Sequence, residues 1–286
     1  MIDALQFEFM RNAIAAGLLA SVICGIMGTL VVVNRIVFLS GGIAHASYGG
    51  IGLAFFFGWP YLISTIGFSL AAAMVMAAVS FEARHRADTI IGVIWALGMA
   101  FGIILIDLTP GYNVNLMSYL FGSILAVPAS DLLIMLVMGV LITILVAYYY
   151  KDLLALSYDS EFARIRGVPV KALYFTMIGM LAVTIVMVIQ VVGLILVIAL
   201  LTIPPFIVEK HARSLVQMMV GSSLLGALFT IAGLWISYTY DLTSGASIIL
   251  VSGIAFLISL LIDRAGFFSS VKHQPVAAGK KNSVAD

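Results

Sequence analysis

Residues 13–33 read AIAAGLLASVICGIMGTLVVV, a run of 21 residues without a charged side chain. A helix needs roughly 20 mainly apolar residues to cross the ~30 Å hydrocarbon core of a bilayer. This stretch is therefore predicted to be a membrane-spanning helix, and eight further runs have the same character. The nine predicted spans are Ala13–Val33, Ile36–Phe57, Tyr61–Ser80, Thr89–Asp107, Leu132–Tyr150, Ala172–Ile189, Val191–Val208, Leu215–Ser237 and Ala246–Ile262.

The composition of the whole chain agrees with a membrane protein. Of its 286 residues, 63% are hydrophobic and 9% are charged, whereas a soluble domain is about 45–50% apolar and about 25% charged. So few charges cannot solvate a globule of this size, which excludes a cytosolic enzyme, a nucleic-acid binder and a secreted disulfide-rich domain. The single cysteine, Cys24, cannot form an internal disulfide. The predicted fold is an all-α polytopic membrane protein with about nine transmembrane helices, eight being possible.

The positions of lysine and arginine predict the orientation, because cytoplasmic loops carry an excess of both. With nine spans and the N-terminus outside, 13 of the 14 basic residues face the cytoplasm and only Arg11 stays outside. The cytoplasmic set is Arg35, Arg84, Arg86, Lys151, Arg164, Arg166, Lys171, Lys210, Arg213, Arg264, Lys272, Lys280 and Lys281. The chain then divides into one transmembrane domain, 1–264, and a polar cytoplasmic tail, 265–286, which is predicted to be disordered.

Three features interrupt the alternation of spans and loops. Leu116–Val127 is apolar but too short to cross, and it is predicted to be re-entrant or interfacial. Gln190 alone marks a turn between two spans, and without that turn the count is eight. Asp107 and Asp131 flank the predicted outer loop, where Asp107 is a candidate for guiding a cation and an interface position is the alternative.

The longest predicted cytoplasmic connection, Lys151–Lys171, reads KDLLALSYDSEFARIRGVPVK. Asp159 or Ser160 can cap a short helix, and Glu161 lies in its first turn, where a negative charge is favourable. Gly167 ends the helix. The spacing E-x-A-x-x-x-G is formed by Glu161, Ala163 and Gly167. A short helix with small side chains fits a groove on a motor subunit, and an ordinary interfacial connection is the alternative.

One ionisable residue lies deep in a predicted span. His45 comes ten residues after Arg35, which places it roughly 15 Å into the bilayer, near the midplane. Ionisable groups at that depth usually face a cavity or a partner, so His45 is a candidate contact for a transported solute. Gly41, Tyr48 and Gly49 share its helical face.

Packing is the alternative explanation for the same stretch. Gly42, Ala46 and Gly50 form a small-x-x-x-small ridge of the type that brings helices close together. His45 would then only form a hydrogen bond across that ridge.

Three motifs occur in order along the chain. The segment Asp159–Gly167 has the form D-x-E-x-A-x-x-x-G, Val192–Pro205 reads VGLILVIALLTIPP, and Ser244–Leu250 reads SGASIIL. Together they resemble the permease subunit of the zinc/manganese (metal-ion) family of ABC importers, over nearly the whole chain. The second motif departs from the pattern V-G-x-L-L-V-x-A-L-L-x-x-P-A at Pro205, where alanine is usual.

The resemblance implies partners and a location. In that family two permease copies pair, a cytoplasmic ABC ATPase docks on a coupling helix, here about residues 152–167, and an extracytoplasmic metal-binding protein delivers the cargo. The chain itself would be a transport subunit and not an enzyme, without a permanently bound cofactor, and ATP would be hydrolysed on the partner. No GxxxxGK[ST] phosphate-binding loop occurs in the sequence. The implied location is the prokaryotic plasma (inner) membrane, with the N-terminus outside and the C-terminus cytoplasmic.

The resemblance also implies a metal site on the second span, in the pattern D-x-x-x-H. His45 matches the histidine, but Gly41 stands at the acidic position. One imidazole is a poor site for Mn²⁺, which prefers carboxylate oxygen, and it is only one ligand of a tetrahedral Zn²⁺ site. We therefore expect two His45 side chains of a dimer, or other groups, to complete the site. Zinc is favoured as the cargo, with manganese or iron as further possibilities.

Two other functions stay open. The missing carboxylate at Gly41 favours an ABC permease for a metal chelate or another small solute. A secondary transporter or channel that works alone is favoured only if the cytoplasmic helix binds no partner.

Overall fold

The structure is a computed structural model that describes residues 6–82, 86–110, 122 and 124–264. Its regular elements are α-helices and a short 3₁₀ turn, Ile124–Ala126. The helices are α1, Glu8–Val33; α2, Val37–Phe57; α3, Tyr61–Glu82; α4, Ala87–Asp107; α5, Ala129–Tyr148; α6, Tyr150–Tyr158; α7, Ser160–Ile165; α8, Val170–Val192; α9, Leu194–Glu209; α10, Leu215–Tyr240; and α11, Ser244–Arg264.

Seven of the described helices are long and apolar enough to cross a membrane, namely α1, α3, α4, α5, α8, α10 and α11. Helix α9 is apolar but shorter, with 16 residues. Helix α2 has 21 residues, and it falls outside the set because five glycines and His45 lower its hydropathy. The prediction of an all-α polytopic membrane protein is confirmed, and each of the nine predicted spans lies mainly within one helix.

Helix α1 lies at the centre of the bundle, buried along most of its length between α9 and α10. Glycine permits this close approach. A Cβ atom at Gly28 would lie 2.4 Å from the carbonyl oxygen of Leu201 on α9, closer than van der Waals contact allows. Helix α2 packs on the other side of the bundle, mainly between α3 and α4, and it carries His45.

The turn between the sixth and seventh spans was predicted at Gln190, and this prediction is wrong. Helix α8 continues through Gln190 and ends at Gly193, whose φ of +86° and ψ of 162° lie in a region that favours glycine. Gln190 remains helical, with its side-chain Nε2 3.2 Å from Asp131 Oδ2, to which it donates a hydrogen bond. The polar side chain that suggested a loop is thus accommodated within the helix.

The two ends of the bundle carry different polar contacts. At one end, Lys171 pairs with Glu82 at 3.5 Å and joins α8 to α3, while Lys210 pairs with Asp263 and joins α9 to α11. Asp131 lies at the opposite end, in the first turn of α5. The predicted order of spans likewise puts Lys171 and Lys210 at one end of the bundle and Asp131 at the other. The assignment of the basic end to the cytoplasm stays a prediction.

Several predictions concern residues outside the described ranges. Most of Leu116–Val127 lies there, as do Arg84 and the tail 265–286. The described part of the first segment is centred on the turn Ile124–Ala126, which packs against α1.

Candidate metal path and cytoplasmic docking segment

His45 lies on α2 and faces two side chains of α4. Its Nδ1 is 3.2 Å from Met99 Sδ, and its ring stacks on Trp95 with centroids 4.1 Å apart and planes 15° from parallel. Trp95 Nε1 also donates to Met99 Sδ, at 3.2 Å. Trp95 and Met99 are one helical turn apart, so both side chains lie on the face of α4 that contacts the imidazole. His45 itself is half-buried.

Open space lies beside Gly41, one helical turn before His45. A Cβ atom added at Gly41 would have no heavy atom within 4 Å, apart from its own helix backbone and chain neighbours. The backbone of Gly41 is nevertheless buried. The structure therefore leaves room for a side chain or a bound group on the same side of α2 as the imidazole.

The small-residue ridge of α2 is used for packing. A Cβ atom at Gly42 would lie 2.6 Å from Ile91, and one at Gly50 would lie 2.6 Å from the Cα atom of Thr65. Ala46 contacts Gly98 of α4, where a Cβ atom would lie 2.9 Å from the Cα atom of Ala46. The ridge explains how α2 packs closely between α3 and α4, while Gly41 and His45 lie beside it.

The other predicted path residues have different surroundings from Gly41 and His45. Tyr48 is 2% exposed, and a Cβ atom at Gly49 would lie 2.3 Å from the Phe68 ring. Asp107 is exposed at the last residue of α4, eight residues beyond Met99 and therefore about 12 Å along the helix. Gly41 adjoins open space and His45 is partly accessible, whereas Asp107 is exposed at the far end of its helix.

One copy of the chain does not assemble a multidentate site from its described residues. Within them, no group of three or more His, Cys, Asp or Glu side chains could hold a metal ion. Since Zn²⁺ takes about four ligands and Mn²⁺ prefers oxygen, His45 would need ligands from elsewhere to hold either ion.

The docking segment is built from two short helices. Helices α6 and α7 together cover the predicted coupling segment, about residues 152–167, and they are separated at Asp159, whose backbone is extended at φ −152° and ψ 92°. Asp159 Oδ1 accepts hydrogen bonds from the backbone N–H groups of Glu161 at 3.1 Å and Phe162 at 2.9 Å. An aspartate that caps one helix with this geometry cannot continue the preceding helix.

The end of α7 follows the glycine rule. Gly167 has a φ of +82°, and Val168 N–H donates to the carbonyl oxygen of Ala163 at 3.0 Å, which is the bond of a Schellman motif. Ala163 is fully buried, whereas Glu161 and Gly167 are exposed. The motif residues thus fix the shape of α7 and anchor it to the bundle through one small side chain.

Helix α7 exposes two large apolar residues that its motif does not indicate. Phe162 is 51% exposed and Ile165 is 84% exposed, although both lie in a connection outside the spans. Two large apolar side chains three positions apart in a polar loop were a signal that could have identified them. A cavity of about 1630 Å³ adjoins this helix, and its lining includes Arg35, Glu161, Arg164, Lys171 and Glu209.

Comparisons with known proteins agree over nearly the full length. Residues 6–263 match the ABC 3 transport family. The chain is 52% identical over 264 residues to the uncharacterized membrane protein slr2045 of Synechocystis sp., covering 92% of this chain and 94% of that protein. It is 31% identical over 273 residues to the manganese transport system membrane protein MntC of Listeria monocytogenes, covering 95% and 97%.

A solved structure has the same fold. The chain is similar to a chain of PsaBC from Streptococcus pneumoniae in complex with Fab, with a TM-score of 0.82 and 33% sequence identity. The match covers 91% of this chain and 94% of that chain.

Proposed function

This chain belongs to the ABC 3 transport family, which confirms the resemblance carried by its motifs, and we propose that it is the membrane-spanning permease subunit of an ATP-driven importer for a divalent metal ion. The observation that carries this proposal is His45, an imidazole on α2 at a depth predicted to be near the membrane midplane, with open space one turn away at Gly41. An ionisable side chain at that depth is costly and is usually functional.

Two copies of the chain complete the path. The described residues of one copy hold no cluster of three potential ligands, so a second copy that contributes its own His45 is the simplest source of another nitrogen ligand. The proposed path therefore runs between two α2 helices of a homodimer. Metal ions with His ligands need neutral imidazole, and two imidazoles add no repulsive charge to the path.

ATP hydrolysis is assigned to a separate cytoplasmic subunit, since the sequence has no phosphate-binding loop. That subunit docks on α7, where Phe162 and Ile165 supply exposed apolar contacts and the neighbouring cavity supplies charged groups. An extracytoplasmic metal-binding protein delivers the ion to the opposite end. This orientation puts the N-terminus outside and the C-terminus in the cytoplasm of a prokaryotic cell.

Two observations bear on the identity of the metal. The MntC relative is named for manganese, which favours Mn²⁺. The ligand chemistry of this chain favours Zn²⁺, because the path offers imidazole nitrogen and no carboxylate at Gly41. Uptake of each ion in competition with the other distinguishes the two, and iron uptake is measured alongside.

A metal chelate is the second candidate cargo. The open space at Gly41 favours it, because a chelate brings its own ligands and needs volume more than protein side chains. Transport of a chelate would be insensitive to the loss of one imidazole.

The test is uptake of radioactive Zn²⁺ and Mn²⁺ into proteoliposomes that contain the permease, its ATPase and its binding protein. We expect His45→Ala to abolish uptake while dimerisation and ATPase binding persist. The matched control is His211→Ala, at an exposed position at the end of α9, which should transport normally. Wild-type uptake of both ions by His45→Ala would remove His45 from the path, whereas failure of the wild-type complex to take up either ion would overturn the metal-ion proposal and favour the chelate.

A further inference from the structure

A thioether lies where a metal-binding histidine usually has an oxygen acceptor. Met99 Sδ is 3.2 Å from His45 Nδ1 and 3.2 Å from Trp95 Nε1. We propose that Met99 and Trp95 are positioning residues that hold His45 in one tautomer, so that Nε2 carries the lone pair offered to the metal ion. This inference rests on the proposed function and names residues of α4 that set how the site binds its cargo.

The tautomer follows from the donors and acceptors at the sulfur. A thioether has no hydrogen to donate, and the indole Nε1 can only donate, so Met99 Sδ accepts both contacts. His45 Nδ1 must therefore carry its hydrogen toward the sulfur. In a neutral imidazole this leaves Nε2 without a hydrogen and free to bind a cation.

The indole fixes the ring plane as well. Trp95 stacks nearly parallel to the imidazole, 15° between planes, and its own Nε1–H is held by Met99 in the next turn of α4. Rotation of His45 would break both the stacking and the contact with the sulfur. The contacts with α4 engage Nδ1 and the face of the ring, which leaves Nε2 to a ligand.

A sulfur acceptor is also compatible with release of the transported metal ion. Metal-binding histidines commonly donate their second N–H to a carboxylate or a carbonyl oxygen, which strengthens the bond to the metal. A thioether is a weaker, uncharged acceptor, so it orients the ring while adding less to the strength of binding. We infer that Met99 provides orientation together with ready release.

The experiment measures initial rates of Zn²⁺ and Mn²⁺ uptake against concentration in the reconstituted complex. Met99→Leu keeps the size of the side chain and removes the acceptor, so we expect the half-saturating concentration to rise about tenfold, the lower end of the effect usual for such partners. The maximal rate should change much less. Met99→Gln restores an acceptor oxygen and should return the half-saturating concentration to within about threefold of wild type, which is below the lower end of that range.

The matched control is Met138→Leu, a half-buried methionine of α5, which should behave as wild type. A second variant, Trp95→Leu, leaves Met99 in place and removes the stacked ring, and it should also raise the half-saturating concentration. Wild-type kinetics in both Met99→Leu and Trp95→Leu would overturn the inference, as would equal impairment by Met99→Leu and Met99→Gln, because a packing role does not depend on an acceptor. Wild-type uptake by His45→Ala would likewise overturn the inference, whereas failure of the wild-type complex to take up either ion would overturn the proposed function itself.

Discussion

Asn34 donates a hydrogen bond from Nδ2 to Ser157 Oγ at 2.9 Å and thereby joins the C-terminal end of α1 to α6. The same amide donates to the carbonyl oxygen of Leu30 at 2.8 Å, so it is held against its own helix. Helix α6 leads through Asp159 directly into α7. The central helix of the bundle is therefore connected by a polar contact to the segment on which we place the ATPase.

Asn34→Ala is expected to weaken the coupling between ATP hydrolysis and transport. The docking surface on α7 is unchanged in this variant, so the ATPase should still co-purify, but the link from α6 to α1 is lost. We expect fewer metal ions transported per ATP hydrolysed, together with a decrease of about 1 kcal/mol in the free energy of unfolding. The measurement is the ratio of uptake to phosphate release in proteoliposomes.

The control for this variant lies at the other end of α1. Asn12 Nδ2 donates to the carbonyl oxygen of Val127 at 3.1 Å, so Asn12→Ala removes a comparable hydrogen bond far from α7. It should cost similar stability and leave the coupling ratio at the wild-type value. An unchanged ratio in Asn34→Ala would show that the contact with Ser157 serves stability alone.

Ile165→Glu is expected to prevent binding of the ATPase. Ile165 is 84% exposed, so the substitution disturbs little within this chain and the unfolding temperature should stay the same. A buried apolar contact with a partner would, however, be replaced by a charge that lacks a counterpart. Co-purification of the ATPase with the permease measures the effect, and Ile165→Val should bind normally. Full ATPase binding by Ile165→Glu would remove this side chain from the docking surface.

Cysteine labelling tests the orientation. Arg166→Cys on the docking segment should be protected from an impermeant thiol reagent in intact cells, whereas Thr243→Cys at the opposite end should react, because both positions are exposed. Cys24 is fully buried, so the wild-type chain provides the unreactive background. Labelling of both variants after the cells are opened serves as the control. The reverse pattern in intact cells would place α7 outside and exclude docking of an ATPase there.

Features that depend on neighbouring residues were predicted correctly from the sequence, whereas a feature that depends on a distant residue was not. Asp159 as a cap and Gly167 as the end of α7 follow from nearby backbone groups, and the structure contains both. The prediction of a turn at Gln190 was wrong because the Gln190 side chain stays in a helix, where it forms a hydrogen bond with Asp131, 59 residues away in the sequence.

The site shows the same limit. Nothing near His45 in the sequence indicates Met99, which is 54 residues away on another helix. Hydropathy identifies α4 as a span but does not tell which of its faces meets α2. The exposed Ile165 differs, because an apolar residue in a polar connection is visible in the sequence itself.

The final prediction concerns the acidic position of the metal pattern. Gly41→Asp should raise uptake of Mn²⁺ relative to Zn²⁺, because it adds a carboxylate oxygen, the ligand type that Mn²⁺ prefers, one turn before His45. The structure has room for the side chain, since an added Cβ atom meets no atom within 4 Å. The ratio of the two initial uptake rates, measured with both ions present, is compared with that of wild type and of Gly41→Ala.

The contrasting variant is Gly49→Asp, which places the same side chain two turns further along α2. There an added Cβ atom would lie 2.3 Å from the Phe68 ring, so we expect this variant to insert poorly and to transport neither ion. A carboxylate exposed to lipid at the centre of a helix costs roughly 2.5–3.5 kcal/mol, whereas one that faces a hydrated path costs far less. Normal insertion of Gly41→Asp with a higher Mn²⁺ ratio therefore supports a path beside His45. Loss of Gly41→Asp protein from the membrane while Gly41→Ala inserts normally would mean that the space at Gly41 is filled by lipid, and the path would have to lie on another face of α2.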